Sequence, residues 1–192
     1  MQLTINKPPS PIIASPSEPK NALVVGTDAE LADRVASILT HWRIERTNDN
    51  PAAYNVVAAK PFELILTGLS TSGKADVELL SRLRVLRPHT RLIILTHEST
   101  PADVVAAMRE KAFSYFSTPL SWDDFAEMLR LAAESPCWDD GIEVLSATTN
   151  WIRLAVRCDH PTANRLLQFF IRLQICQNRK KAMFLQPFSK CC

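Results

Sequence analysis

The chain has 192 residues, of which 46% are hydrophobic and 22% charged, so it can form one solid core or one domain with a smaller unit beside it. The net charge of +2, with basic residues spread along the chain, argues against nucleic acid or a membrane surface as partner. No apolar run reaches the roughly 18 residues of a membrane span, and the amino terminus lacks a secretory pattern. We therefore expect a cytoplasmic protein.

The cysteines are odd in number and form no CxxC or Cys/His ligand spacing. Reduced thiols that bind no metal are the expectation. The positions are Cys137, Cys158, Cys176, Cys191 and Cys192. The sequence predicts neither a metal site nor a cofactor.

The first twenty residues contain five prolines and no sustained hydrophobic periodicity. Proline fixes φ and removes an amide donor, so this composition favours an extended or disordered arm over a folded element. We expect 1–20 to lie outside the folded domain.

From residue 21 onward, short apolar runs alternate with segments of helical periodicity. Asp28 can cap the first helix, with Leu31, Val35, Ile38, Leu39 and Trp42 along one face. The pattern predicts strands over 21–27, 43–47, 62–68, 91–96 and 113–118, and helices over 28–42, 51–60, 75–87, 101–111 and 121–134.

Five strand-helix units, with central strands apolar on both faces, predict an α/β domain with a doubly wound parallel sheet over 21–135. In such a sheet the functional crevice lies at the carboxyl ends of the strands, where the strand order reverses. The residues to inspect there are Gly26, Thr27, Gly68, Thr96 and Thr118.

A Pro/Gly-bounded linker over 136–141 precedes two more strand-like stretches and an amphipathic helix within 142–174. Two strands and a helix cannot bury a core alone, so this segment is expected to dock on the first domain, to dimerise, or to belong to something larger. We expect an irregular tail over 175–192, with a solvated basic run at Arg179, Lys180 and Lys181. The apolar side of the helix is predicted to comprise Ala163, Leu166, Leu167, Phe170 and Leu173.

The span 21–135 resembles a response-regulator receiver domain, which implies a flavodoxin-like (βα)5 fold. "LVVGTDAEL" stands where that family has an apolar strand ending in two acidic residues, and "ELILTGLSTSGKADVELL" where it has the phosphoaccepting aspartate. "LIILTH" matches the switch Ser/Thr segment. "KAFSYFSTPL" matches an aromatic followed by Lys-Pro, whose proline bond the family usually makes cis.

The resemblance breaks wherever phosphoryl transfer needs charge. That reaction requires a carboxylate nucleophile, a cation held by carboxylates and a lysine. Gly68 replaces the nucleophile, Gly26 and Thr27 replace the acidic pair, and Thr118 replaces the lysine. Asp28 is better placed to cap a helix, Thr67 should point to the opposite face from Gly68, and Ser70, Thr71 and Ser72 have no cation site beside them. We predict no phosphotransfer.

Thr96 and Tyr115 match the receiver family's switch pair, which reorients on phosphorylation. Two interpretations stay open: a retained switch, or a threonine that ends a strand and a tyrosine that fills a groove. His97 has no acidic or cysteine partner nearby in the sequence, so we assign it no role in metal binding or acid-base chemistry.

Residues 141–174 resemble the opening strand pair and helix of the GHKL-type ATPase domain of anti-sigma-factor serine kinases. That family's asparagine box and glycine-rich nucleotide motifs are missing, since Gly141 is the last glycine in the sequence. The change of composition at Ile175 suggests a reading-frame change or early stop in a longer gene, a hypothesis that the downstream nucleotide sequence tests.

The leading hypothesis is a non-enzymatic, phosphorylation-independent pseudo-receiver that signals through a protein partner or as a homodimer, without nucleic acid or membrane. One alternative is an inactive truncation of a receiver-coupled serine/threonine kinase or anti-sigma factor. Another is a sensor that binds a small molecule or anion in the vacated pocket. The expected partner surface, on the fourth helix, fifth strand and fifth helix, comprises Ala106, Met108, Arg109, Tyr115, Trp122 and Phe125.

Overall fold

A computed structural model describes residues 19–69, 73–134, 141–148 and 151–184. Its main sheet has five strands in the order β2-β1-β3-β4-β5, and every neighbouring pair is parallel. The strands are β1 Asn21–Val25, β2 Arg43–Thr47, β3 Leu64–Thr67, β4 Arg91–Thr96 and β5 Ser114–Ser117. The helices between and after them are α1 Ala29–Ile38, α2 Asn50–Ala59, α3 Gly73–Leu86, α4 Pro101–Arg109 and α5 Trp122–Glu134.

Two apolar layers enclose this sheet. Side chains of α1 and α5 pack on one face of the strands, and side chains of α2, α3 and α4 pack on the other. Strands β3, β4 and β5 are buried at every position because they are covered on both faces. The predicted doubly wound, flavodoxin-like sheet is therefore confirmed. We call residues 21–134 the sheet domain.

Local signals place the helix starts. The Asp28 carboxylate accepts a hydrogen bond from the Leu31 amide at 3.1 Å, so its predicted capping role is confirmed. Helix α1 ends at Ile38, four residues earlier than predicted, since the chain must turn to enter β2 at Arg43. Trp42 thus lies after the helix rather than on its face, and it still packs against the apolar layer of α1.

The remaining elements form a second, smaller unit. β6 Ile142–Ala147 and β7 Ile152–Val156 pair as an antiparallel hairpin, and α6 His160–Phe184 follows. Helix α6 packs against α4 and β5, and β6 packs against α4. Of the three expectations for this segment, the structure shows docking on the sheet domain. We call β6, β7 and α6 the C-terminal unit.

Of two expectations about the C-terminal unit, one is wrong and the other is confirmed only in part. The tail is not irregular from residue 175, because α6 continues to Phe184. Its sequence there contains Gln, Arg, Lys, Ala and Met, which favour helix, and neither glycine nor proline. The predicted apolar side of α6 is divided: Leu166 and Leu173 pack against the core, whereas Leu167 and Phe170 are 56% and 41% exposed. The docked side also buries Arg165 and Arg172, which the sequence pattern did not indicate.

Several predicted features lie outside the described residues: the arm over 1–18, most of the linker, Cys137, and the chain from 185 onward. Cys158 is a free, exposed thiol. None of the helices in the described ranges is long and apolar enough to cross a membrane.

Candidate functional site

The carboxyl ends of β1 and β3 lie side by side at the point where the strand order reverses. Val25 of β1 is in register with Thr67 of β3 and with Thr47 of β2. Gly26 and Gly68 are the residues that follow β1 and β3. The two glycines thus line the position where a doubly wound sheet offers its binding crevice.

Gly68 has no room for a side chain. Its amide donates to the Val25 carbonyl oxygen at 2.5 Å, and a Cβ built on Gly68 would lie 2.6 Å from that same oxygen. The obstacle is backbone, which cannot rotate away as a side chain can. The close approach of β1 and β3 therefore excludes any nucleophilic side chain at this position unless the strands move.

Gly26 is fixed in a conformation that side chains rarely adopt. Its φ is 117°, and its amide donates to the Thr47 carbonyl at 2.7 Å. An aspartate at residue 26 would be strained at this φ, whatever the space around it. Thr27, at the second acidic position of the resemblance, is exposed.

Thr118 and Thr96 link the ends of β5 and β4. The Thr118 amide donates to the Thr96 carbonyl at 3.2 Å, and the Thr118 hydroxyl donates to the His97 carbonyl at 3.0 Å. The Thr118–Pro119 peptide is cis. The Thr96 hydroxyl donates to the Glu98 carbonyl at 2.9 Å, and His97 itself is exposed. These contacts occupy both hydroxyls in holding the β4–α4 and β5–α5 loops.

The structure brings Thr96 and Tyr115 together at the amino end of α3. A Cβ added to Gly73 would lie 2.9 Å from the Tyr115 hydroxyl and 3.4 Å from the Thr96 hydroxyl. Tyr115 is fully buried and Thr96 nearly so. The absence of a side chain at Gly73 is what lets the Tyr115 hydroxyl reach this position.

Thr67 serves the sheet rather than the crevice. Its buried hydroxyl accepts a hydrogen bond from the Leu95 amide of β4 at 3.1 Å. Ser70, Thr71 and Ser72 lie outside the described residues.

Sequence reasoning missed two residues next to this edge. Asp76 is fully buried in α3, where the Asn50 amide nitrogen donates to its carboxylate at 2.9 Å. The signal was present in the sequence, because Asp76 occupies the same helical face as the buried residues Leu79, Leu80 and Leu83. The pair ties the start of α3 to the start of α2. Gly73 could not be identified in the same way, because a glycine has no side chain whose position on the helix could indicate a role.

The crevice as described contains little that can do chemistry. Residues 26, 27, 68 and 118 carry no charge, and within the described ranges there is no cluster of three His, Cys, Asp or Glu able to hold a metal ion. Asp28, the nearest acidic residue in sequence, already caps α1. Among the described residues, positions 26, 27, 68 and 118 thus supply neither the carboxylates nor the lysine that phosphoryl transfer to a receiver uses.

The predicted partner surface is only partly accessible. Met108, Tyr115 and Phe125 are each at most 2% exposed, because all three belong to the apolar layers beside the sheet. They therefore cannot contact a partner in this conformation, and the prediction is wrong for these three. Arg109 is exposed and Ala106 half-buried.

Trp122 is half-buried and faces α1 rather than α4. The Arg34 guanidinium lies over its ring at 4.1 Å, and Phe125 meets it edge-on at 5.8 Å. These contacts place Trp122 between α1 and α5.

Much of the α4 and β5 surface is covered by the C-terminal unit itself. Phe169 of α6 and Ile142 of β6 join the apolar layer that contains Val104 and Ala107 of α4. The Arg165 guanidinium donates to the Phe113 carbonyl at 2.9 Å and to the Ala112 carbonyl at 3.2 Å, just before β5. Because β5 is an edge strand, α6 shields an edge that would otherwise be open to pairing.

No protein-family model matches the chain. A curated relative, the transcriptional regulatory protein ZraR of Klebsiella oxytoca, is 26% identical over 108 residues, which are 55% of this chain. The chain spans only 24% of that relative's length.

Solved structures match the fold more completely. A response regulator from Thermotoga maritima is 16% identical with a TM-score of 0.53, over 61% of this chain and 99% of the other. The signal receiver domain of an HD domain-containing protein from Pseudomonas fluorescens Pf-5 is 21% identical with a TM-score of 0.52, over 60% and 95%. The beryllofluoride-activated NtrC4 receiver domain dimer is 17% identical with a TM-score of 0.51, over 58% and 94%. The chain therefore adopts the flavodoxin-like fold that these receiver domains share.

Proposed function

We propose that this chain is a phosphorylation-independent pseudo-receiver of two-component signalling, which acts by protein-protein contact and not as an enzyme. The receiver assignment is supported by the shared fold, by the ZraR match and by the motif order from β1 to the Thr118–Pro119 bond. The single observation that carries the loss of phosphorylation is the 2.6 Å approach of a Gly68 Cβ to the Val25 carbonyl.

That observation matters more than the sequence change alone. A glycine at the phosphoacceptor position could in principle be reversed by one mutation if the space for an aspartate remained. In this fold the backbone of β1 fills that space, and Gly26 holds the adjoining loop at a φ of 117°. The backbone thus opposes a side chain at residue 68 and strains an aspartate at residue 26.

The test is incubation of the full chain with a small-molecule phosphodonor and Mg²⁺, followed by intact mass measurement. We expect no phosphoryl adduct, while a conventional receiver treated in parallel gains one. A stable adduct that peptide mapping places within residues 21–134 would contradict the proposal.

A protein that is not phosphorylated would signal by binding a protein partner. Arg109 and the exposed faces of α4 and α5 remain available to a protein partner after the C-terminal unit has docked. Replacing Arg109 with glutamate should weaken partner binding without changing the melting temperature, since the side chain is exposed. An Arg109→Glu variant that binds a purified partner as well as the wild type would remove this face from consideration.

A further inference from the structure

The five-stranded sheet has two edge strands, and they differ in charge and in burial. β2, at one edge, has three charged residues among its five, and none of its positions is buried. β5, at the other edge, has no charged residue and is buried at every position. Charged side chains on an edge strand oppose pairing with another chain. The side chains of β2 therefore protect its edge, whereas those of β5 give no such protection.

The segment around β5 has the composition of a strand that pairs readily. Residues 113–118 read FSYFST, with three aromatic residues and no charge, proline or glycine. Aromatic residues and threonine favour strands, and an uncharged segment of this kind tends to add a further strand when its edge is open. One edge of β5 is paired with β4. Only a cover from outside the sheet can protect the other edge.

Helix α6 packs along this second edge. The Arg165 guanidinium donates to the Phe113 carbonyl at 2.9 Å and to the Ala112 carbonyl at 3.2 Å. Seven residues later, the Arg172 guanidinium lies 4.8 Å from the Phe116 ring centre. Seven helical residues and three strand residues both span about 10 Å, so α6 and β5 run side by side over this length. The docked helix thus occupies the space in which an added strand would lie.

The cover is attached to the sheet domain through side chains. β6 and β7 form a sheet of their own and do not extend the main sheet. On the docked side of α6, Phe169 packs in the apolar layer, while Arg165, Gln168 and Arg172 are buried polar residues. The buried side-chain oxygen of Gln168 accepts no hydrogen bond from the residues that the structure describes. A buried polar atom without a partner costs free energy, which weakens the docking.

The hairpin and α6 contact each other closely enough to move together. At the base of the hairpin, the Gly141 carbonyl accepts a hydrogen bond from the Arg157 amide at 2.8 Å. A Cβ added to Gly141 would lie 2.5 Å from the Thr162 hydroxyl, so the base of the hairpin packs directly on the first turn of α6. The C-terminal unit can therefore leave the sheet domain as one body.

We propose that α6 blocks the β5 edge while the C-terminal unit is docked, and that undocking lets this edge pair with the β5 edge of a second copy. An edge offers backbone hydrogen bonds, and a second copy supplies the same uncharged edge. Identical edges meet with two-fold symmetry, so the paired strands run antiparallel. A strand of four residues offers few hydrogen bonds, so the dimer is weak and depends on concentration. This inference does not rest on the state of the crevice.

The test loosens α6 in the full chain and measures self-association by sedimentation velocity up to about 0.5 mM. Phe169→Ala removes a buried ring and should raise the undocked population about a hundredfold. Arg165→Met removes two hydrogen bonds from a charged group and should raise it about tenfold. Both variants should form more dimer than the wild type. Phe170→Ala is the matched control, because Phe170 is the neighbouring phenylalanine and is 41% exposed, and it should behave like the wild type.

Hydrogen exchange distinguishes edge pairing from contact through another surface. In Phe169→Ala and Arg165→Met, the amides of α6 should exchange faster, while those of α5 keep their wild-type protection. Raising the concentration of Phe169→Ala should slow exchange in β5, because pairing gives its outward amides a partner.

Four results would overturn the inference. The first is an α6 that exchanges no faster in either variant, and the second is a loosened α6 in a chain that stays monomeric at every concentration. The third is a dimer in which the β5 amides gain no protection. The fourth is a Phe170→Ala variant that associates as much as Phe169→Ala. None of these results bears on phosphorylation, so each would leave the proposed function in place.

Discussion

Helices α5 and α6 both pack apolar side chains on the sheet domain, but their interfaces differ in polarity. Helix α5 buries Phe125, Met128, Leu129 and Ala132 and turns its charged residues outward. Helix α6 buries Phe169 with Leu166 and Leu173 packed beside it. It also buries two arginines and a glutamine, and it leaves Leu167 and Phe170 exposed. The first helix is part of the core, whereas the second is attached to it through a mixed polar and apolar interface.

The difference extends to the distribution of exposed apolar groups. Among the described residues, five large apolar side chains are exposed, and four of them lie in the C-terminal unit. They are Val85 in α3, Leu145 and Trp151 at the hairpin, and Leu167 and Phe170 in α6. The C-terminal unit therefore exposes more of its apolar side chains than the sheet domain does. In the crevice, by comparison, the backbone of β1 leaves no room for a side chain at Gly68.

The largest expected effect separates the two helices directly. Phe125→Ala should lower the free energy of unfolding by about 3–5 kcal/mol, since it removes a fully buried ring that meets Phe116 edge-on at 5.7 Å. Phe170→Ala, on the exposed face of α6, should stay within about 0.5 kcal/mol of the wild type at low protein concentration. Denaturant unfolding of both variants measures this, and equal losses would erase the distinction between the helices.

Loss of the Arg165 anchor should come next. Arg165→Met keeps the apolar stem but removes the two hydrogen bonds to the carbonyls before β5, and hydrogen bonds from charged groups are worth about 1.5–3 kcal/mol. Native-state hydrogen exchange should show faster opening of α6 and unchanged protection of α5. Arg109→Met is the control, because that arginine is exposed. Equal acceleration in α5 and α6 would show that the C-terminal unit does not open separately.

A side chain at residue 68 should cost about 1–3 kcal/mol, the usual range for overpacking. Because the clash begins at Cβ, Gly68→Ala and Gly68→Asp should lose similar stability. Thr27→Asp should lose almost no stability, because Thr27, next to Gly26 after β1, is exposed. Thermal unfolding compares the three. A Gly68→Asp variant as stable as the wild type would mean that the crevice can accept a carboxylate.

The smallest expected effect is a loss of stability at low pH, when the Asp159 carboxylate becomes protonated. A hydrogen bond from the Arg157 guanidinium, followed by hydrogen bonds from Thr162, lowers the pKa of Asp159 from 3.8 to about 2. The folded pKa is below the unfolded one, so the Asp159 contribution is complete above pH 3.8 and is lost as the pH falls towards 2.

The Asp159 carboxylate also accepts from the Thr162 amide at 2.8 Å, as a cap of α6. Acidification through this range should therefore loosen the first turn of α6, which the Thr162 amide resonance reports in an NMR titration. In Asp159→Asn the cap remains but the titration should vanish; a variant that titrates like the wild type would assign the transition to another group.

Much of the sheet domain could be predicted from the sequence because local and global signals agree there. β2 and β4 begin and end at the predicted residues, and α4 opens at Pro101 as expected. The uncharged residues at the carboxyl ends of the strands could also be identified directly from the sequence. What the sequence could not show was why a side chain fails at Gly68, since that depends on the distance between two strands.

Predictions failed where burial depends on tertiary contacts. Met108, Tyr115 and Phe125 were assigned to a surface from position alone, yet the layers beside the sheet enclose them. The amphipathic pattern of α6 identified Leu166 and Leu173 correctly but not Leu167 and Phe170, because the docked face is centred on Phe169 and on the Arg165 contacts before β5. The GHKL resemblance of 141–174 and the domain boundaries stay predictions.

The most direct test of the proposed function is a map of backbone amide chemical shifts, recorded in Mg²⁺ before and after addition of a phosphodonor. We predict that the phosphodonor leaves the amide shifts of Gly26, Gly68 and Thr96 unchanged. Shifts at these three amides on phosphodonor addition, with a matching phosphoryl adduct by intact mass, would contradict the proposal.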